Sequence, residues 1–218
     1  MAKRELVPEL RPTGRRLEAF SDGVFAIVIT IMVLEIHIPD TLAFANNPAE
    51  LRSFGAKFLT YMLSFFVIAN LWTSHHYLTF TVQMPSRATI WFNNLLLFSV
   101  STIPIATPFL GEFPTSPRAT AAYGFVAASC TGAFMLLRSH ARRRSHNPVH
   151  RDIHGIILKK SAIFFAIYVV SVPLAFVSPW LAWACFLVVP PMLFLPTVRA
   201  AGRLSQSLAE QPMQHSCP

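Results

Sequence analysis

Asp22 follows Ser21 at the start of an apolar run that continues Phe25-Ala-Ile-Val-Ile-Thr-Ile-Met-Val-Leu34, which sets a carboxylate and a hydroxyl about one turn inside a helix of membrane length. An ionisable group at that depth is costly unless paired or wet, so Asp22 marks a functional or folding site. A buried carboxylate needs a cation or several donors. Arg16 on the same helix is one candidate, and His75 and His76, near the end of a second apolar run, are two more. Two chemistries fit. In one, Asp22 ties the first two helices together as a polar clasp, which is the favoured reading. In the other, Asp22 and His75 relay protons in a proton-coupled secondary transporter. Adjacent histidines point about 100° apart on a helix, so joint chelation of a metal by His75 and His76 is poor geometry.

A second pattern lies on the same helix. Phe20, Gly23, Ile27, Thr30, Ile31, Leu34 and Ile38 recur at three- and four-residue spacing and share one face, away from Ser21 and Asp22. The bland reading is helix packing. One small subunit cannot enclose a pathway with so short a stripe, but several copies around an axis can. Rings of Ile27, Ile31 and Leu34 then form a constriction that dewets when narrow, and Thr30 adds a ring of hydroxyls able to replace part of an ion's hydration shell. Glu35 and Asp40 follow at the outer end, where carboxylates raise the local cation concentration.

Other chemistry finds little support. His140, His146, His150 and His154 surround the connection between the fourth and fifth apolar runs, three of them at steps of four, as a metal patch or pH sensor would require. Pro148 interrupts them and the adjacent arginines repel metal, so no metal site is expected. Cys130, Cys185 and Cys217 have no paired spacing. No nucleophile elbow, zinc-protease, phosphate-loop or Thr-Val-Gly-Tyr-Gly filter pattern occurs, so the chain is not read as an enzyme and needs no cofactor.

The elements that must position these groups are membrane helices. Apolar residues make up 53% of the 218-residue chain and charged residues only 13%, a balance far more apolar than a soluble domain of this size requires. Six runs of membrane length are expected, roughly at 17–38, 54–78, 91–110, 119–138, 158–177 and 180–198. Pro104 should kink the third. The first run is full length and lacks a cleavage site, so it reads as a retained helix.

With the N-terminus cytoplasmic, fifteen Lys and Arg fall on inner segments and three on outer ones. That bias sets both termini in the cytoplasm. Arg142, Arg143 and Arg144 then meet anionic lipid headgroups rather than nucleic acid. The organisation expected is a disordered cytoplasmic tail at 1–14, a six-helix membrane domain at 15–203 and a cytoplasmic tail at 204–218.

Arg16-x-x-x-Phe20-Ser21-Asp22, followed by Gly-Val-Phe-Ala-Ile27-x-x-Thr30, resembles the signature of the endosomal and lysosomal potassium channel family, in its bacterial single-repeat branch. Trp72-x-x-His75-His76 and Asn94-Leu-Leu-Leu-Phe with Pro104 and Thr107 agree with it more weakly. The resemblance implies an all-α integral membrane protein with six transmembrane helices per subunit, assembled as a homotetramer around a central pore lined by the first helix. It further implies a potassium-permeable cation channel, weakly selective for potassium over sodium. In it Ile27 stands at the hydrophobic gate, Thr30 influences selectivity, and Ile31 and Leu34 are the next apolar rings. Arg16, Phe20, Ser21, Asp22 and the histidines His75 and His76 hold the pore helix in place. Permeant potassium is the only ligand implied, and a multi-pass bacterial inner-membrane location follows.

Overall fold

The structure is a computed structural model that describes residues 14–36, 47–82, 84–145 and 147–194. These form seven helices: α1 Gly14–Leu34, α2 Pro48–Thr81, α3 Arg87–Ser101, α4 Ile103–Glu112, α5 Pro117–Arg144, α6 Pro148–Val177 and α7 Pro179–Phe194. With α3 and α4 taken as one span, Arg87–Glu112, five spans are long and apolar enough to cross a membrane. The sixth expected span is α7, a shorter apolar helix within the described residues.

Local chemistry explains where the helices start and break. Asn47-Pro48 and Asn147-Pro148 open α2 and α6 in the same way. Each Asn side chain accepts from the backbone N–H two residues on, and each Pro occupies the first turn, where its missing N–H costs nothing. These caps begin α2 and α6 several residues before the apolar windows from 54 and 158, because polar first turns lie outside a hydropathy signal. Ser86 and Thr89 close a capping box on α3. The kink expected at Pro104 is a break at Thr102: Pro104 has no N–H to offer Val100, and Thr102 bonds Ser99 O through both its backbone N–H and its hydroxyl. Gly14, assigned by sequence to the tail, is already helical.

α1 lies against α2, α3 and α4, and α5 packs along α6. The α5–α6 contact is close because α5 is rich in small residues. A Cβ on Gly124 would come within 2.5 Å of Ser171 Oγ, and one on Gly132 within 3.0 Å of Phe165. α7 closes the bundle, where Trp183 Nε1–H donates to Pro114 O at 2.8 Å and Phe186 meets Tyr123 edge-on. The buried side of α1 is Ser21, Phe25, Val28 and Met32, one residue per turn.

Candidate pore helix and its fastenings

Two polar nodes hold α1. At the node nearer the start of α1, Ser21 Oγ–H donates to Leu17 O at 2.8 Å, so its oxygen is free to accept from Asn93 Nδ2 at 3.0 Å. That fixes the Asn93 amide, whose Oδ1 lies 2.7 Å from His75 Nε2. His75 Nε2 therefore carries the proton, and the imidazole ring tilts against Phe25 at 5.7 Å between centroids. Ser21, Asn93 and His75 are all fully buried, so one amide on α3 links the α1 hydroxyl to the α2 imidazole.

At the other node, Thr107 Oγ1 lies 3.9 Å from Met32 Sδ and 2.7 Å from Ser64 Oγ, which in turn lies 3.1 Å from Tyr123 Oη. The side of α1 that enters the bundle is thus fixed at both ends.

Asp22 sits at the edge of the buried face. Trp72 Nε1–H donates to Asp22 Oδ1 at 2.9 Å. The carboxylate does not bond His75, His76 or Arg16 among the described residues, so the clasp between the first two helices exists with a different partner. His76 instead stacks beside Trp72 and pairs with Glu18 Oε1 at 3.1 Å. Arg16 and Phe20 are exposed and stand outside these bonds. Asn94, which carried part of the weaker sequence agreement, is exposed as well, and its buried neighbour Asn93 is the bridge.

The apolar stripe lies on the opposite side of α1. Ile27, Ile31 and Leu34 are 59%, 42% and 77% exposed, and Gly23 and Thr30 are exposed beside them. A Cβ on Gly23 would meet nothing within 4 Å. Thr30 Oγ1–H donates back to Ile27 O at 2.8 Å, which turns its lone pairs outward. Glu35 is exposed just past the end of α1, next to a cavity of about 130 Å³ between α1, α2 and α4 whose rim holds the Lys57–Glu112 ion pair. Asp40 and Ile38 lie outside the described residues.

Of the four histidines read as a connecting loop, His140 is on α5 and His150 and His154 are on α6, while His146 lies outside the described residues. They do not converge: His140 Nε2 lies 3.2 Å from Ser86 Oγ, and His154 turns inward to Arg138. Among the described residues no cluster of three His, Cys, Asp or Glu side chains could hold a metal ion.

Comparison with known proteins follows the same helices. Residues 16–104 match the family model described as "Endosomal/lysosomal potassium channel TMEM175", from α1 into the start of α4. The chain is 33% identical over 199 residues to a potassium channel of Chryseobacterium sp. (strain P1-3), covering 89% of this chain and 100% of that protein. It is 34% identical over 188 residues to a potassium channel of Chamaesiphon minutus, covering 82% and 92%. The crystal structure of a lysosomal potassium-selective channel TMEM175 homologue from Chamaesiphon minutus superposes with a TM-score of 0.74 at 30% identity, over 84% of this chain and 96% of that one. The whole bundle, and not just the signature helix, is therefore shared, and the chain belongs to the TMEM175 potassium channel family.

Proposed function

We propose that this chain is one subunit of a homotetrameric, potassium-permeable cation channel whose pore is lined by the exposed face of α1. The observation that carries the reading is the division of α1 into two faces. Ser21, Phe25, Val28 and Met32 are held inside the subunit, while Ile27, Thr30, Ile31 and Leu34 are left exposed. Four such faces around an axis place isoleucine and leucine rings at a narrow point that excludes water when closed, which makes Ile27 the gate. Opening widens or rotates these rings so that Thr30 reaches the ion. Its outward lone pairs suit a cation, because its proton is already spent on Ile27 O.

Selectivity for potassium over sodium is weak in this scheme. One ring of hydroxyls supplies fewer and weaker ligands than stacked rings of backbone carbonyls, and no carbonyl filter sequence is present. Glu35 and Asp40 concentrate cations at the outer mouth. The bacterial relatives and the charge bias support an inner-membrane protein with both termini in the cytoplasm and Arg142, Arg143 and Arg144 at the anionic headgroups.

The proton-relay alternative finds no support in the geometry. Asp22 faces an indole N–H, which donates but does not accept, and His75 is engaged by Asn93. The deciding experiment is a reversal-potential measurement on the reconstituted protein under potassium and sodium gradients. The expected reversal tracks potassium with incomplete discrimination. Electrically silent, saturable exchange would end the channel reading.

A further inference from the structure

Arg138 is fully buried, and no carboxylate pairs with it among the described residues. By sequence it is one of the fifteen Lys and Arg of the inner segments. Its guanidinium lies over the Phe134 ring, donates from Nη2 to Ser74 O, and meets His154 Nδ1 at 3.1 Å through Nη1. A buried cation held only by neutral groups is costly, so each of those groups matters.

Donor capacity fixes the state of His154. A guanidinium only donates, so His154 Nδ1 must present its lone pair. On the other side of the ring, Thr81 Oγ1–H is used at Leu78 O, so Thr81 Oγ1 accepts from His154 Nε2–H at 3.1 Å. The bonds around Arg138 therefore require a neutral imidazole with its proton on Nε2.

The same guanidinium reaches the pore-helix fastening. Ser74, whose carbonyl it holds, directly precedes His75, which holds Asn93, which holds Ser21 on α1. We propose that Arg138 is a positioning residue for the pore helix, and that His154 is the acid-labile catch of this clamp, which releases the end of α2 when it is protonated. The proposal rests on the pore assignment of α1 for its effect on conduction.

A proton on His154 Nδ1 removes the acceptor that faces Nη1 among the described residues and sets two cations in contact. Among the described residues no carboxylate faces the ring, since Asp152, two residues away on α6, is exposed. Arg138 and Arg142 face His154 from α5, His150 lies one turn away on α6, and α2 contributes the neutral Thr81. His75, on α2, also lies within the electrostatic reach of Arg138. None of these groups is a carboxylate able to stabilise an imidazolium. Release of Arg138 frees Ser74 O and loosens the segment that carries His75, so the orientation of Ser21, and with it Thr30, is no longer fixed.

The experiment uses the full chain reconstituted in vesicles, with acidification from about pH 7.5 to about pH 4, a range that continues below ordinary imidazole titration because Arg138 opposes a second charge on His154. Two quantities are followed: potassium flux, and hydrogen-exchange protection of the α2 amides at 74–81 after correction for intrinsic rates. In the unmodified protein both fall, flux by about threefold or more, a size ordinary for coupling between sites. His154→Gln keeps an acceptor for Arg138 and a donor for Thr81 at every pH, so both acid responses should disappear while flux at neutral pH is retained.

An undiminished acid response in His154→Gln overturns the proposal. Retained protection of 74–81 in the acidified unmodified protein overturns it too, and that result needs no variant to fold. Acid-labile protection that His154→Gln abolishes, in a protein that carries no potassium current at any pH, upholds the clamp and removes the pore assignment instead.

Discussion

The Trp72 indole holds Asp22 at 2.9 Å and stacks on His76, so a single aromatic side chain on α2 organises the contacts of both Asp22 and Glu18 in the first half of α1. Among the described residues this carboxylate of Asp22 is met by an indole N–H and by no cation. Trp72→Phe keeps the ring and removes the donor, and should cost about 1 kcal/mol, a typical net value for a hydrogen bond with one charged partner at a half-exposed position. Thermal unfolding in detergent checks this. An unshifted midpoint in Trp72→Phe would show that the bond contributes nothing and that Asp22 is held by water.

Asn93 carries more. It is buried and serves two partners at once, so Asn93→Leu leaves His75 Nε2–H without an acceptor and Ser21 Oγ without its donor. Loss of a buried bridge of this kind costs about 2–4 kcal/mol. Asn94→Leu, one residue on and exposed, should stay within about 0.5 kcal/mol. Equal losses at the two positions would place the fastening of α1 elsewhere.

Much of this arrangement was legible in the sequence, and the exceptions share one cause. Periodicity separated the Ile27, Thr30, Ile31 and Leu34 face of α1 from the Ser21 side, because both patterns lie on one continuous helix. What spacing along one helix cannot supply is the partner across the gap. Asp22 was assigned to charged residues, although an indole N–H from α2 reaches it. Asn93 and Asn94 are neighbours of the same type, and only the rotation of α3 decides which one is buried. Arg138 counts by sequence only as one more charge of the inner segments, at the end of an apolar run beside further arginines. A fully enclosed guanidinium becomes visible only when α2 and α6 close over it. The histidines fall between the apolar runs that end at 138 and begin at 158 and so read as a connection, whereas Asn147 and Pro148 start a polar first stretch of α6 there.

The glycines of α1 and α5 should respond in opposite ways to the same substitution. Gly124→Ala drives a methyl to within 2.5 Å of Ser171 Oγ and should destabilise the subunit by about 1–3 kcal/mol, because the two backbones must separate. Gly23→Ala meets no neighbour in the subunit and gains about 1 kcal/mol of helix propensity. If α1 lines a pore, the second variant should be at least as stable as the parent yet alter conductance, since its methyl enters the shared space. A Gly23→Ala subunit with unchanged stability and unchanged current would argue that this face meets lipid.

The sharpest test of the pore face is Ile27→Asn. Ile27 touches little inside the subunit, so its replacement should leave folding within about 0.5 kcal/mol of the parent, and any change in current must arise where the side chain points. In a dewetted constriction an amide brings water into the ring and lowers the barrier to a hydrated cation, so potassium flux should rise severalfold. Thr30→Val, nearly isosteric, removes the outward lone pairs and should lower potassium current while leaving the apolar gate intact. The pair separates two roles on one helix: one substitution raises flux by wetting, and the other reduces it by removing ligands. A folded Ile27→Asn channel with unchanged flux would take Ile27 out of the gate, and the constriction would then have to be sought one turn further along, at Ile31 or Leu34.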